Sequence, residues 1–232
     1  MTAVLRPETF RFFRDLARNN RKPWMDAHRD RYQEHVVAPL RALVEALAPA
    51  AISLHGGFET SGRVGANLSR INRDTRFARD KTPYHTGMYV YFTRPELKGD
   101  DGQLYVGIAA TGATMGFRIY GGGRDSTLRR FARLRGPRSG AWLARESRRF
   151  ARRYDSYWYA TEKGRWTRHS GFPRPEDWHA VRGLVVRRRV SRADAVKPGF
   201  LGAVVRAFED LMPLYRLTAF PERSPQGGTG GV

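Results

Sequence analysis

The 232-residue chain contains no cysteine. That absence excludes disulfides, thiolate metal ligands and cysteine nucleophiles together, and it leaves the redox compartment open. Lysine is nearly missing too: only Lys22, Lys81, Lys98, Lys163 and Lys197 stand among 42 basic residues. Arginine therefore carries almost all of a formal charge of +20, with a pI near 11.2. Such a surplus suits a polyanion partner, and it equally suits an arginine-rich coding bias that leaves a solvated basic surface. Long apolar runs are lacking. No window approaches roughly 18 consecutive apolar residues, and the first residues have no apolar signal-peptide centre, so a cytoplasmic protein without membrane association is expected. Histidine is sparse, and His28, His35, His55, His85, His169 and His179 show neither His-x-x-x-His nor His-x-His spacing. No metal site and no cofactor is expected. The serines stand in no nucleophile-elbow context.

With 41% hydrophobic residues the chain can bury a sizeable core, and one α+β domain over residues 1–220 is expected, followed by a flexible tail at 221–232. Phe10, Phe13, Leu16 and Ala17 recur at helical spacing, which predicts a helix over 8–19 stopped by a left-handed turn at Asn19-Asn20. Lys22-Pro23-Trp24 restarts a helix through residue 37, and Pro39 either kinks it or begins another carrying Leu40, Leu43, Val44 and Leu47. The runs "GMYVYFTR", "QLYVGIAA" and "TMGFRIY" read as strands of an antiparallel sheet, with "LKGDDG" and "ATGA" as the turns between them. Further on, "RDSTLRRFARL" and "SGAWLARESRRFARRY" predict helices, the second with Trp142, Leu143, Phe150 and Tyr154 as its apolar members. "DSYWYA" and the segment centred on Leu184 to Val186 predict strands, and a closing helix uses Leu201, Val204, Val205, Phe208, Leu211 and Met212. This order implies N-terminal helices packed on a mainly antiparallel sheet, with further helices in the C-terminal half.

Charge is densest in "RINRDTRFARDKTPYHT", Arg70 to Thr86, which holds five cations and two carboxylates. A helix there would set Arg70 against Asp74 and Arg76 against Asp80, in the less favourable cation-first order. Asn72, Thr75 and Pro83 oppose a helix. In an extended reading Ile71, Arg73, Thr75, Phe77, Arg79 and Lys81 share one side. If Ile71 and Phe77 face the core, Arg73 is drawn inward and needs a carboxylate or a bound anion. Asp26, Asp30, Glu34 or Glu59 would complete a structural network. Alternatively Arg70, Arg73, Arg76, Lys81 and Tyr84 form a site for a phosphorylated or carboxylated ligand, with guanidinium forks giving bidentate geometry. Asp74, Asp80, Tyr84 and His85 are the available acid–base groups should the protein be an enzyme acting on an anionic substrate.

The same residues, Arg70-Ile71, Arg73-Asp74, Arg76-Phe77 and Asp80-Lys81-Thr82-Pro83-Tyr84, resemble the signature of an uncharacterised bacterial and fungal family, domain of unknown function 2461. An aromatic-rich helix leading to Asn19-Asn20, then Trp24, Tyr32 and Pro39, is similar to that family's opening pattern. The likeness covers roughly residues 8–93. Ala78 and Arg79 replace the usual serine and lysine, His85 replaces a lysine, and Met25 replaces a phenylalanine, so no role needing a lysine amine is carried over. The resemblance implies a fold and no mechanism.

Two further features invite anions. "FRIYGGGRDSTLRRF" places glycines before a helix that Asp125 or Ser126 would cap, a tight turn or an anion-binding helix start. Residues 124–153 carry eleven arginines, and Arg145, Arg148, Arg149, Arg152 and Arg153 cover one helix surface suited to a phosphate backbone. Tyr154, Tyr157, Trp158, Tyr159 and Trp166 would serve either core packing or base stacking beside it. An anionic small molecule or polyanion is thus the expected partner, with nucleic acid as the alternative, and the sequence fixes no oligomeric state.

Overall fold

Proline at the first helical position, Glu8 in the first turn and Arg18 in the last suit the dipole of α1, Pro7–Arg18, whose Phe10, Phe12, Phe13 and Leu16 are fully buried. Each such side chain contributes about 1.5–3 kcal/mol of apolar burial. The helix stops where expected, but Asn19 has φ −132°, so the stop is not left-handed. This architecture comes from a computed structural model that describes residues 3–97, 102–120 and 137–219. The "RDSTLRRFARL" helix, most of the "LKGDDG" turn, the side chains of Trp142 and Leu143 and the proposed tail lie outside the described residues.

After α2, Lys22–Ala27, a 26-residue helix α3 runs from Arg29 to Leu54. Pro39 neither breaks it nor starts a new one. The chain widens into a π turn over Gln33–Val37, where the Ala38 N–H donates to the Gln33 carbonyl, and the helix continues past the proline. An 18-residue stretch of this helix has a mean hydropathy of 1.5, so by length and composition it is long and apolar enough to cross a membrane, although charged residues interrupt its apolar runs. Its Val36, Leu40, Leu43, Val44 and Leu47 are buried in the core.

Among the described residues six strands follow: β1 Gly87–Phe92, β2 Gln103–Ala109, β3 Gly112–Tyr120, β4 Asp155–Glu162, β5 Arg165–Ser170 and β6 Gly183–Val190. They form one antiparallel sheet in the order β1-β2-β3-β6-β4-β5. Gly112 closes the β2–β3 turn at φ +141°, and a Cβ there would lie 2.4 Å from the Val190 carbonyl oxygen. β5 was absent from the sequence reading. It is joined to β4 by Lys163-Gly164, both at positive φ, the two-residue turn that matches strand twist. Helix α4, Pro137–Arg153, precedes β4, the short α5, Arg192–Ala195, follows β6, and α6, Phe200–Thr218, ends the described chain.

Strand alternation divides the sheet into two unlike faces. Met88, Val90, Phe92, Leu104, Val106, Ile108, Met115, Phe117, Leu184 and Val186 meet the helices in one apolar cluster that reaches from Leu5 to Tyr215. The opposite face carries a separate, small cluster of Tyr91, Tyr105 and Val185, with Tyr157 packed beside it.

Candidate functional site

The signature segment is a self-braced loop. Asn72 and Tyr84 form an isolated antiparallel bridge, the Arg73 N–H donates to the Pro83 carbonyl, and the His85 N–H donates to that of Ile71. Asn20 grips the base of the loop from the end of α1, its Nδ2 donating to the Tyr84 carbonyl at 2.8 Å and its Oδ1 accepting from the Tyr84 N–H at 3.0 Å. A buried amide also holds the preceding segment: Asn67 Nδ2 donates to the carbonyls of Glu59 and Tyr91, while its Oδ1 accepts from the Gly62 N–H.

Within the loop the cations turn to internal partners. Arg73 donates to Asp80 Oδ2 at 2.6 Å and to Thr82, and Arg76 forms a two-pronged pair with Asp74 at 3.0 and 2.7 Å. Lys81 donates to the Thr75 and Arg76 carbonyls. The Thr82 N–H first, and Arg73 next, hold the Asp80 carboxyl down to about 2. Arg76 likewise holds Asp74 below the usual carboxylate range. Burial and then the charge of Arg73 push His85 down, which favours its neutral form. Asp26 and Glu59 pair elsewhere, with Lys22 and Arg29, and with Arg63. Ile71 faces the core as expected. Phe77 does not: it is 95% exposed at the loop tip, because the turns at Asp74 and Asp80 break the alternation that would have pointed it inward. Arg70 and Arg79 are exposed.

On α4, Arg149 reaches both Glu146 and Asp210, and Arg153 donates to Asp210 at 2.9 Å. Asp210 also accepts the Tyr154 hydroxyl at 2.8 Å, so these arginines tie α4 to α6. Arg145 lies 3.4 Å from Glu146, and Arg148 and Arg152 point to solvent.

A different arginine set stands on the sheet face that the described helices leave open. Register places Tyr89, Gly107, Thr114 and Arg189 in one row, Tyr91, Tyr105, Gly116 and Arg187 in the next, then Gln103, Arg118, Val185 and Tyr157, and Tyr120, Gly183, Tyr159 and Arg168 beyond. Tyrosines lie across from glycines. A Cβ on Gly107 would meet the Tyr89 ring at 2.8 Å, and one on Gly183 would meet the Tyr120 ring at 2.9 Å, so the missing side chains let the rings lie flat. Arg118 sits 4.7 Å from the Tyr89 ring centre and 5.2 Å from that of Tyr105, and Tyr157 has Arg168 at 4.0 Å and Arg187 at 5.0 Å. These are cation–π distances. Burial raises the phenols of Tyr91, Tyr105 and Tyr120, so all three stay protonated and add no negative charge.

Partner counts differ sharply from those of the loop. Among the described strand residues of this face, Arg118, Arg168, Arg187 and Arg189 confront one carboxylate, Asp155, which accepts from Arg189 at 2.8 Å. Among the described residues Arg118 has only the neutral Gln103 as hydrogen-bond partner, at 2.9 Å, and Arg187 has a buried Nε without one. It lies between two hollows, one of about 300 Å³ beside Tyr89, Gly107 and Thr114, the other of about 380 Å³ beside Tyr157, Arg168 and Gly171. Neither hollow draws on residues 70–86. A larger hollow of about 590 Å³ under α1 also holds arginines: Arg11 and Arg14 there have Glu8 and Asp15 beside them, and Arg192 lines it too, without a tyrosine ring in the lining. Sequence reasoning named Tyr157, Tyr159 and Trp166 only as neighbours of the arginine helix and overlooked Arg118, Arg168 and Arg187. The signal was available in the two-residue spacings Tyr89/Tyr91, Tyr157/Tyr159 and Arg187/Arg189, which put each pair on one face.

Fold and site together define an α+β protein whose antiparallel sheet is covered by helices on one side and presents tyrosine and arginine on the other. The chain belongs to the family of conserved hypothetical proteins DUF2461, whose profile matches residues 8–217 and so extends the N-terminal resemblance through the whole sheet. No curated protein matches it.

Proposed function

We propose that this protein binds a phosphorylated or carboxylated ligand on the arginine–tyrosine face of its sheet. The observation that carries the reading is Arg187, a guanidinium on a tyrosine ring, between two hollows, with a buried Nε and no acceptor. A buried donor left unpaired costs about 1–3 kcal/mol, and an anion in either hollow would remove that cost. Arg168 and Arg118 supply further forks without carboxylates, the arrangement suited to bidentate capture. Loop cations Arg73, Arg76 and Lys81 are poorer candidates because an anion would have to displace Asp80, Asp74 or backbone carbonyls. Proton transfer at the loop is disfavoured on the same ground, since Asp74 and Asp80 are held ionised by their partners.

Calorimetric titration with inorganic pyrophosphate at moderate salt tests the reading. Arg187→Gln and Arg168→Gln should each weaken binding at least tenfold with the melting temperature retained, while Arg76→Gln should leave it unchanged. Loss on Arg76→Gln but not on Arg187→Gln would return the site to the loop, and equal binding by all variants would reduce it to background charge.

A further inference from the structure

Resting on the anion-binding reading above, we infer that the ligand of this face is single-stranded nucleic acid, its bases stacked on exposed rings and its phosphates held by the arginines between them. Three large rings on the face remain open to solvent: Tyr89 at 40% exposure, Tyr120 at 38% and Trp166 at 52%. They stand on the first, third and sixth strands in spatial order, so the track from Tyr89 to Trp166 runs diagonally across the full sheet, which is about 24 Å wide at ordinary strand spacing. A single phosphate or a small carboxylate fills one hollow and leaves such a track unused.

The rings are linked. Tyr89 packs on Tyr105 at 5.7 Å, Tyr120 on Tyr159 at 6.1 Å, and Tyr159 on Trp166 at 5.6 Å, while Arg118, Arg187 and Arg168 lie among them. Alternating π surfaces and fixed cations match a strand that alternates bases and phosphates, with no need for base-edge readout. Charge complementarity supports the same occupant, four arginines against Asp155 on a chain of formal charge +20. Double-stranded nucleic acid cannot use the rings, since its base faces are stacked on one another.

Fluorescence anisotropy with labelled 12-mers, dT12 and rU12, and a 12-base-pair duplex, in about 150 mM salt, separates the possibilities. The 12-mers should bind at least tenfold tighter than the duplex. Tyr120→Ala and Trp166→Ala, at half-exposed positions, should each weaken 12-mer binding by about 5- to 150-fold and leave pyrophosphate binding unchanged. Equal affinity for duplex and single strand, or equally effective competition by heparin, would overturn the inference and mark a general polyanion surface. Pyrophosphate binding that depends on Arg187 without any 12-mer binding would overturn it while sparing the anion site. Insensitivity of both ligands to Arg187→Gln would overturn both.

Discussion

Replacing Asn20 by alanine should loosen the signature loop from a distance of 64 residues in sequence. The amide makes two bonds to the backbone of one residue, at 2.8 and 3.0 Å, and Tyr84 is 8% exposed, so water does not readily replace them. A net contribution of about 0.5–1.5 kcal/mol per bond, and a cost of about 1–3 kcal/mol for a buried group left unpaired, give an expected loss of about 2–4 kcal/mol. For a chain of this size that corresponds to a melting temperature lower by roughly 4–16 °C. Urea unfolding followed by tryptophan fluorescence measures it, and limited trypsin digestion should show faster cleavage at Arg76 and Arg79. Asn19→Ala is the control: it removes one bond to the Asp15 carbonyl and should change stability by less than about 0.5 kcal/mol. An Asn20→Ala protein within about 0.5 kcal/mol of the parent would refute the clamp.

Other outcomes follow from the same geometry. Asp80→Asn should flatten the acid limb of the stability curve: the folded carboxyl is held down to about 2, below its ordinary 3.8, so its contribution is present above about 4 and disappears as pH falls through 2. Acid titration of both proteins by circular dichroism reads this difference. Asp210→Ala should cost about 1–3 kcal/mol, because Tyr154, Arg149 and Arg153 lose a common acceptor and α4 is freed from α6, a change visible in urea midpoints. Gly112→Ala should destabilise the protein by about 2 kcal/mol or more through positive φ and the clash with Val190, again read from urea unfolding. Phe77→Ala should change stability by less than about 0.5 kcal/mol, since its ring is almost wholly in solvent.

Helices α1 and α6 were legible in the sequence because their apolar residues recur at one period and are buried at those positions; Val205, named for the closing helix, is only partly covered. β1, β2 and β3 were legible because β-branched and aromatic residues fill short runs between turn residues. β5, "RWTRHS", escaped because an edge strand with polar side chains has no apolar alternation to announce it, and the Lys163-Gly164 turn was the only cue. The loop drew attention by local charge density, and density in sequence does not count partners in space: Asp74 and Asp80 answer Arg76 and Arg73 within the same segment. Arg118, Arg168 and Arg187 come from three separated strands, so no linear pattern gathers them. The strand order does that, by inserting β6 between β3 and β4.

That insertion bears on how the protein is made. The strand at the heart of the sheet is the last of the six to leave the ribosome, and until it arrives a three-stranded meander and a hairpin each expose an unsatisfied edge. Roughly four fifths of the chain must therefore be synthesised before either half finds its other side, and a transcript or protein cut short of residue 183 yields one chain with two separate, sticky pieces of sheet instead of a smaller sheet.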